Sequence, residues 1–272
     1  MSYASLMVAV DDGRHASARV RLAADLAHRF GARLIGAAGC LPEYPQGFGE
    51  TVVPVSMAIE EMRQAALERL KGGEQVFRQA SCLNDRVAWR SDLAAPVPFL
   101  EQQSRASDLI VAGRYADDEG VSPGMVVGIG DVLMGSGRPV LVVPPGVDHL
   151  KARRVILGWK NTFQTRRAVS DALPFLRRAE AVRVLRISDG EEWSEIEDVA
   201  AYLTLHDVNA TAQLVKPSGW TVADDLRTAA SEFDADLILT GAYGYSRLRE
   251  WFFGGVTRDL LSKGTVPCLM SH

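Results

Sequence analysis

Asp108-Leu-Ile-Val-Ala-Gly113 is repeated as Asp236-Leu-Ile-Leu-Thr-Gly241 after an offset of 128 residues. At the same offset, Arg138-Pro-Val-Leu-Val-Val143 returns as Val266-Pro-Cys-Leu-Met270, with the proline in register. Self-similarity at a fixed spacing indicates that a chain contains repeated structural units. The 272-residue chain is therefore predicted to contain two copies of one unit, each with an apolar segment near its end.

The two copies also begin alike, because Ser5-Leu-Met-Val-Ala-Val-Asp11 resembles Arg154-Val-Ile-Leu-Gly-Trp-Lys160. In both, short apolar segments alternate with segments of helical periodicity, which predicts a parallel sheet with right-handed crossover helices. The predicted fold class is therefore α/β. We expect the first unit to span residues 1–146, the second unit residues 151–272, and residues 144–149 to form the linker.

The composition argues against several classes of protein. A net charge of −4 gives no electrostatic reason to expect a nucleic acid partner. The apolar runs are shorter than the roughly 18 residues that a membrane helix needs, and the N-terminal segment lacks the basic residues of a signal peptide. Three widely separated cysteines are typical of reduced thiols, and five isolated histidines predict no metal site. We expect a soluble cytoplasmic protein without a membrane partner.

The clearest candidate for a binding site is a glycine-rich loop in the second copy. Gly241 and Gly244 let the backbone turn sharply and approach a ligand closely. The pair Gly254-Gly255 precedes a predicted helix, whose free N–H groups and dipole favour phosphate oxygens, and the Thr257 hydroxyl adds a donor. The candidate ligand-binding residues are Thr240, Gly241, Gly244, Gly254, Gly255, Val256 and Thr257. A loop that needs glycine only for positive φ angles and tight packing is the structural alternative.

The spacing of this loop, Gly241-x2-Gly244-x9-Gly254, is similar to the ATP-binding signature of the universal stress proteins, G-x2-G-x9-G-(S/T). The resemblance covers essentially the whole chain in two copies, as in tandem-domain members of that family. It implies that each copy has a Rossmann-like fold, related to the adenine nucleotide alpha hydrolases. That fold has a parallel five-stranded sheet of order 3-2-1-4-5 flanked by helices.

The same resemblance implies ligands and partners. Some members bind adenine nucleotides, so ATP is the expected ligand, with ADP or AMP as alternatives and Mg²⁺ as a companion ion. Members dimerise through the last strand, which implies either a homodimer or a pseudo-dimer of the two copies within one chain. The implied role is stress response or regulation rather than catalysis.

The second copy departs from the family pattern at two positions. Gly255 stands where the signature has Ser or Thr, and Thr257 is expected to compensate from two residues further on. At the end of the first strand, the family commonly places an Asp near the adenine. The second copy has Lys160 there, and we expect its positive charge to face phosphate instead. Phosphate binding is therefore better supported than adenine recognition.

The first copy shows the opposite pattern. Asp11 stands where the family Asp belongs, and it is the candidate binding residue of this copy. The loop after Gly113, however, carries Asp117, Asp118 and Glu119, and three carboxylates in the expected phosphate region would repel a nucleotide. We therefore expect the first copy to be a structural partner that binds no nucleotide.

Two other functions remain open. One is an ATP-hydrolysing enzyme of the related hydrolase group, whose members carry a Ser-Gly-Gly-x-Asp-Ser loop after the first strand. The chain has Asp11-Asp12-Gly13-Arg14 and Lys160-Asn161-Thr162 at these places, which argues against such an enzyme. The other is a scaffold in which both nucleotide sites have decayed, an alternative that Gly255 and Lys160 keep open.

Overall fold

The computed structural model describes residues 2–43, 55–82, 86–114, 120–190, 193–242, 259–260 and 264–272. Strands and helices alternate in the first half: β1 (Ser5–Ala9), α1 (Ala16–Phe30), β2 (Arg33–Gly39), α2 (Val55–Ser81), β3 (Val87–Asp92), α3 (Pro96–Gln103), β4 (Leu109–Gly113), α4 (Ile129–Gly135) and β5 (Val140–Val143). The second half repeats the alternation: β6 (Arg154–Gly158), α5 (Phe163–Leu176), β7 (Ala181–Ile187), α6 (Trp193–Thr204), β8 (Ala210–Val215), α7 (Val222–Glu232), β9 (Leu237–Gly241) and β10 (Cys268–Ser271). The predicted α/β class is confirmed.

The central strands are apolar on both faces because helices cover both sides of the sheet. All five residues of β4 are buried. Leu109 and Val111 enter the core on one side, while Ile110 enters the core on the other. Helix α1 ends where Gly31 takes a φ of 66°, which lets its N–H reach the carbonyls of the last helical turn.

The strand order within each half is the one that the family resemblance implies. The full order is β3-β2-β1-β4-β5-β10-β9-β6-β7-β8, so each half gives 3-2-1-4-5 with parallel pairing. The prediction of a five-stranded sheet in each copy needs one correction, because the two halves share a single ten-stranded sheet. β5 and β10 pair antiparallel, with Leu141 opposite Leu269. Both strands are entirely buried, so their pairing covers two apolar edges at once.

Side chains reinforce this junction between the halves. The rings of Tyr3, Phe30 and Phe175 meet edge to face with centroids 5.0 to 5.6 Å apart. The Tyr3 hydroxyl donates to the Asp171 carbonyl at 2.6 Å, and Ser271 Oγ donates to Asp171 Oδ2 at 2.9 Å. Burial raises the pKa of Tyr3 well above its usual value. The chain therefore forms the pseudo-dimer that was one of the two alternatives, and a homodimer stays a prediction.

The segment that joins the halves is anchored to α1. Arg21 forms an ion pair with Asp148 at 3.5 Å, and Arg29 donates to the carbonyls of Leu150 and Lys151. The Leu150 side chain is buried. The segment after β5 is thus a packed connection rather than a free tether. Among the described residues, no helix is both long enough and apolar enough to traverse a membrane.

Candidate functional site

In each half, the candidate crevice lies at the carboxyl ends of two neighbouring strands. These middle strands are β1 and β4 in the first half and β6 and β9 in the second half. In the second half, β6 and β9 are neighbours, with Gly158 opposite Thr240. The chain leaves these two strands in opposite directions along the sheet, since β6 leads to β7 and β9 leads to β10. Ligands of open parallel sheets bind at such reversal points. Lys160 and Gly241 therefore emerge at the same edge, where a ligand site is expected.

The crevice of the second half brings the start of α5 against the end of β9. Thr162 caps the helix and accepts from Thr165 N–H at 3.3 Å, and the two threonine hydroxyls lie 3.0 Å apart. A Cβ on Gly241 would lie 2.5 Å from Thr165 N and 2.7 Å from Thr165 Oγ1. Glycine at this position is therefore required by the close approach of helix and strand, whether or not a ligand binds.

The other predicted residues of this crevice differ in accessibility. Lys160 is exposed. Thr240 is buried, and its Oγ1 donates to the Gly241 carbonyl at 3.2 Å, which limits its availability to a ligand. The remaining predicted residues, Gly244, Gly254, Gly255, Val256 and Thr257, lie outside the described residues.

The crevice of the first half is filled by a buried ion pair. Arg19 on α1 pairs with Asp11 just beyond β1, and only 3% and 2% of their side chains are exposed. Arg19 Nε also donates to the Ala9 carbonyl at 2.9 Å, and Gly13 N–H donates to Asp11 Oδ1 at 2.9 Å. A Cβ on Gly113, at the end of β4, would collide with Arg19 Nη1. The guanidinium thus lies across the carboxyl ends of β1 and β4.

A second cluster closes the first crevice from the loop that follows β4. Asp12 accepts from Ser122 N–H at 2.9 Å and from Ser122 Oγ at 2.5 Å, and it lies 3.8 Å from Arg69 of α2. Arg69 also pairs with Glu43 at 3.4 Å. Burial raises the pKa of the adjacent Cys40 thiol, against the opposing effect of Arg69. These contacts tie the loop to the ends of β1 and β2.

The comparison with known families separates the two halves. A sequence model of the universal stress protein family matches residues 151–272. The second half belongs to the universal stress protein family. A search of curated proteins finds no significant sequence match to the chain.

Solved structures extend the universal stress protein fold over both halves. A universal stress protein from Archaeoglobus fulgidus DSM 4304 is 16% identical, with a TM-score of 0.67, over 100% of this chain and 96% of that chain. A functionally unknown protein from Pseudomonas aeruginosa PAO1 is 13% identical, with a TM-score of 0.56, over 99% and 92%. A putative universal stress protein from Pseudomonas aeruginosa UCBPP-PA14 is 14% identical, with a TM-score of 0.54, over 99% and 93%. At these identities the likeness shows the fold alone.

The repeat offsets show which residues of the universal stress protein half replace the ion pair. The offset of 149 between Asp11 and Lys160 also places Ala168 at the position of Arg19. Ala168 is fully buried. The second half therefore lacks both the carboxylate and the guanidinium. Where Lys160 replaces the aspartate, Ala168 also replaces the arginine that would pair with it.

At the glycine pair of the second half, the larger side chains lie in the first half. At the offset of 128, Gly254 and Gly255 correspond to Val126 and Val127. Val127 is 5% exposed, and the preceding Met125 is buried in the core under α1 and α2. Helix α4 of the first half starts right after this apolar segment, at Ile129. The first half thus carries bulky apolar side chains where the signature of the second half has glycines.

Sequence reasoning assigned Asp11 to a ligand and missed Arg19. The sequence did contain an indication of this residue, because Arg19 lies between the apolar residues Ala18 and Val20. All three residues are buried in α1. A buried arginine requires a charged or hydrogen-bonded partner. Among the described residues, no group of three or more His, Cys, Asp or Glu side chains could hold a metal ion.

Proposed function

We propose that the second half binds an adenine nucleotide, with ATP as the first candidate, in the crevice between β6 and β9. The proposed domains are residues 1–146, a structural partner, and residues 151–272, the binding unit. The proposed role is stress response or regulation in the cytoplasm through binding rather than catalysis. The observation that carries the proposal is the register of β6 and β9, which pairs Gly158 with Thr240, so that Lys160 and Gly241 both follow directly at the point of strand reversal.

Each predicted residue has a role in this proposal. The backbone N–H groups of Gly254, Gly255 and Val256 and the Thr257 hydroxyl would hold phosphate, because a helix start favours anions. The exposed Lys160 adds a positive charge, and Mg²⁺ would accompany the phosphates. Thr240, Gly241 and Gly244 would line the ribose side.

The proposal gives Asp11 no ligand contact, since its carboxylate is held by Arg19 and by Gly13 N–H. The first half then contributes to the fold and to the junction, but it binds no nucleotide. The proposal also assigns no general base, because the residues after β6 are Trp159, Lys160, Asn161 and Thr162. Binding without rapid turnover follows from this residue set.

The identity of the ligand can be tested on the purified protein. The chain is prepared without added nucleotide and denatured, and the released small molecules are identified by mass spectrometry. ATP or ADP near one equivalent per chain would support the proposal. A thermal shift with added ATP gives a second measurement, since a ligand at 100 times its Kd stabilises the folded state by about 2.7 kcal/mol. Absence of both results would favour the scaffold with decayed sites.

A further inference from the structure

The last strand, through which the family resemblance implies dimerisation, is already used inside the chain. β10 lies between β5 and β9, and β5 lies between β4 and β10. The ten-stranded sheet ends instead at β3 on one side and at β8 on the other. A second copy of the chain that extends this sheet therefore has to pair with one of these two edges.

The edge strand β8 presents backbone groups that have no partner. The Asn209 carbonyl accepts from Val182 N–H of β7 at 2.8 Å, which fixes the side of the strand that faces β7. Successive residues of a strand direct their backbone groups to opposite sides, so the residues that face away from β7 are Ala210, Ala212 and Leu214. Their N–H and C=O groups make no hydrogen bond with the described part of the chain.

The two free edges of the sheet differ in how they are protected. Natural edge strands commonly carry charged side chains, which oppose pairing with another chain. β3 includes Arg90 and Asp92, whereas β8 has the sequence ATAQLV, without a charged residue or a proline. No residue of β8 is buried. β8 is therefore the edge that is open to a further strand.

We propose that β8 pairs with β8 of a second copy, in antiparallel orientation, to form a two-fold symmetric dimer. The pairing is centred on Ala212, because this centre engages all three residues that face outward. Ala212 then exchanges hydrogen bonds with Ala212 of the second copy, and Ala210 exchanges them with Leu214. Thr211 lies opposite Gln213, a polar pair on the other face of the sheet. Because both chains use the same edge, the assembly closes at two copies.

Charge complementarity favours a second copy as the occupant of this edge. Asp207 precedes β8 and Lys216 follows it, both are exposed, and neither has an ion-pair partner among the described residues. In the pairing centred on Ala212, Lys216 lies opposite Val208 of the second copy and next to its Asp207. The two-fold axis repeats this arrangement, so opposite charges meet at both ends of the paired strands. An extended peptide without this spacing would match only the backbone.

Both ends of β8 also carry exposed apolar residues. Leu205, before the strand, is 84% exposed, and Trp220, after it, is 79% exposed. Antiparallel pairing brings the segment before one β8 beside the segment after the other. The dimer therefore brings apolar surface of one copy towards apolar surface of the other, as is typical of interaction sites.

Proline variants of the two edges test the pairing. Sedimentation velocity of the full chain at increasing protein concentration measures self-association, and we expect a monomer–dimer equilibrium. Ala212→Pro removes an N–H that faces away from β7, so it should block the pairing and leave the bonds to β7 intact. Ser91→Pro is the matched control, because Ser91 N–H faces away from β2 on the other edge. Ala212→Pro should weaken the dimer at least tenfold, and Ser91→Pro should leave it unchanged.

A second pair of variants tests the charges. Asp207 and Asp234 both follow a helix, are exposed and have positive φ angles of 62° and 50°. Asn also tolerates this backbone conformation, so Asp207→Asn and Asp234→Asn remove a charge without adding strain. Asp207→Asn should weaken the dimer several-fold, and added salt should weaken the parent dimer more than this variant. Asp234→Asn should leave the dimer unchanged.

The outcomes also distinguish this proposal from the nucleotide proposal. A chain that stays monomeric at all concentrations, or equal effects within either pair of variants, would overturn the β8 dimer. Larger oligomers that Ser91→Pro dissolves would overturn it too, because they indicate pairing through β3. Circular dichroism checks that each variant is folded, and the Asp207 pair decides if Ala212→Pro is not. β7 separates β8 from the crevice between β6 and β9, so a monomer that binds ATP refutes only the dimer, and a dimer that binds none refutes only the nucleotide site.

Discussion

The two halves carry the same strands in the same order, but their middle crevices are built differently. In the first half, Arg19 reaches from α1 to Asp11 and lies against Gly113, so a buried ion pair separates helix from strand. In the second half, Ala168 replaces the arginine and the start of α5 contacts Gly241 directly. In the first half a charged pair separates the helix from the strand end, whereas in the second half the start of the helix packs directly on the strand end.

This difference shows that a residue at a motif position can have partners within the protein itself. Asp11 matches the position of a ligand-binding Asp, yet its carboxylate is satisfied within the protein. Lys160 departs from the pattern, yet it is the exposed residue at its strand end. At the end of the first strand, the better match to the family pattern therefore lies in the half that is the poorer candidate for nucleotide binding.

The ion pair of the first half provides the largest expected effect. Arg19→Ala removes the buried guanidinium that pairs with the buried Asp11 carboxylate, which should cost about 3 to 5 kcal/mol of unfolding free energy. Asp25→Ala is the control, because it breaks the exposed pair with Arg29 and should cost about 1 kcal/mol or less. Urea denaturation measures both. Equal losses in the two variants would contradict the structural role of Arg19.

The close packing of the second half provides the next effect. A methyl group at position 241 would meet the backbone at the start of α5, so Gly241→Ala should destabilise the fold by about 1 to 3 kcal/mol. Gly72→Ala is the matched control, because Gly72 lies inside helix α2 with no atom within 4 Å of an added Cβ. It should stabilise by about 0.5 to 1 kcal/mol. Both changes in unfolding free energy are measured by denaturant unfolding. Changes of the same sign in the two variants would refute this packing.

The alternation of strands and helices could be predicted from sequence because it depends on local apolar periodicity. The repeated segments at Asp108 and Asp236 correctly located β4 and β9, since a short apolar run that ends in glycine suits a buried strand. The strand order followed from the family resemblance rather than from periodicity.

Contacts between distant segments could not be predicted in the same way. The joining of β5 to β10 depends on the pairing of two buried edges, and each edge has the same apolar pattern as a central strand. The partner of Asp11 lies on the next helix, where an arginine among alanines is normally taken for a solvated residue.

The charge at the strand end of the second half is expected to matter for ligand binding. Lys160→Glu reverses a positive charge in the proposed phosphate region and should weaken ATP at least tenfold, or about 1.4 kcal/mol. Lys216→Glu is the control, because Lys216 is exposed just after β8, at the same end of the sheet but away from the strand reversal. Isothermal titration compares the affinities, and an equal loss in both variants would assign the effect to net charge alone.

The smallest expected effect concerns the pH dependence of stability. The contributions of Asp171 at the junction and of Asp148 in the linker to the unfolding free energy should change with pH in opposite directions. Burial raises the pKa of Asp171 above the ordinary 3.8. The folded state thus binds its proton more tightly, and the stability that Asp171 contributes is lost as pH rises through its folded pKa. The hydrogen bond with His149, aided by Arg21, lowers the pKa of Asp148, so its contribution is lost as pH falls.

Replacement of each carboxyl by an amide isolates these two contributions. Asp171→Asn should make the unfolding free energy rise more steeply, or fall less steeply, with pH than in the parent chain. Asp148→Asn should change the slope in the other direction. Urea unfolding from about pH 3 to about pH 7 gives both slopes. Changes of the same sign would contradict the assigned environments.

The most direct test of the difference between the halves is the stoichiometry of ATP binding by isothermal titration, measured with two equivalent substitutions. Gly254→Glu and Val126→Glu place the same charge at corresponding positions of the two halves, and Val126 is exposed, so its replacement should be tolerated. We expect one ATP per chain, with binding lost in Gly254→Glu and retained in Val126→Glu. Two ATP per chain, or loss of binding in Val126→Glu alone, would contradict it.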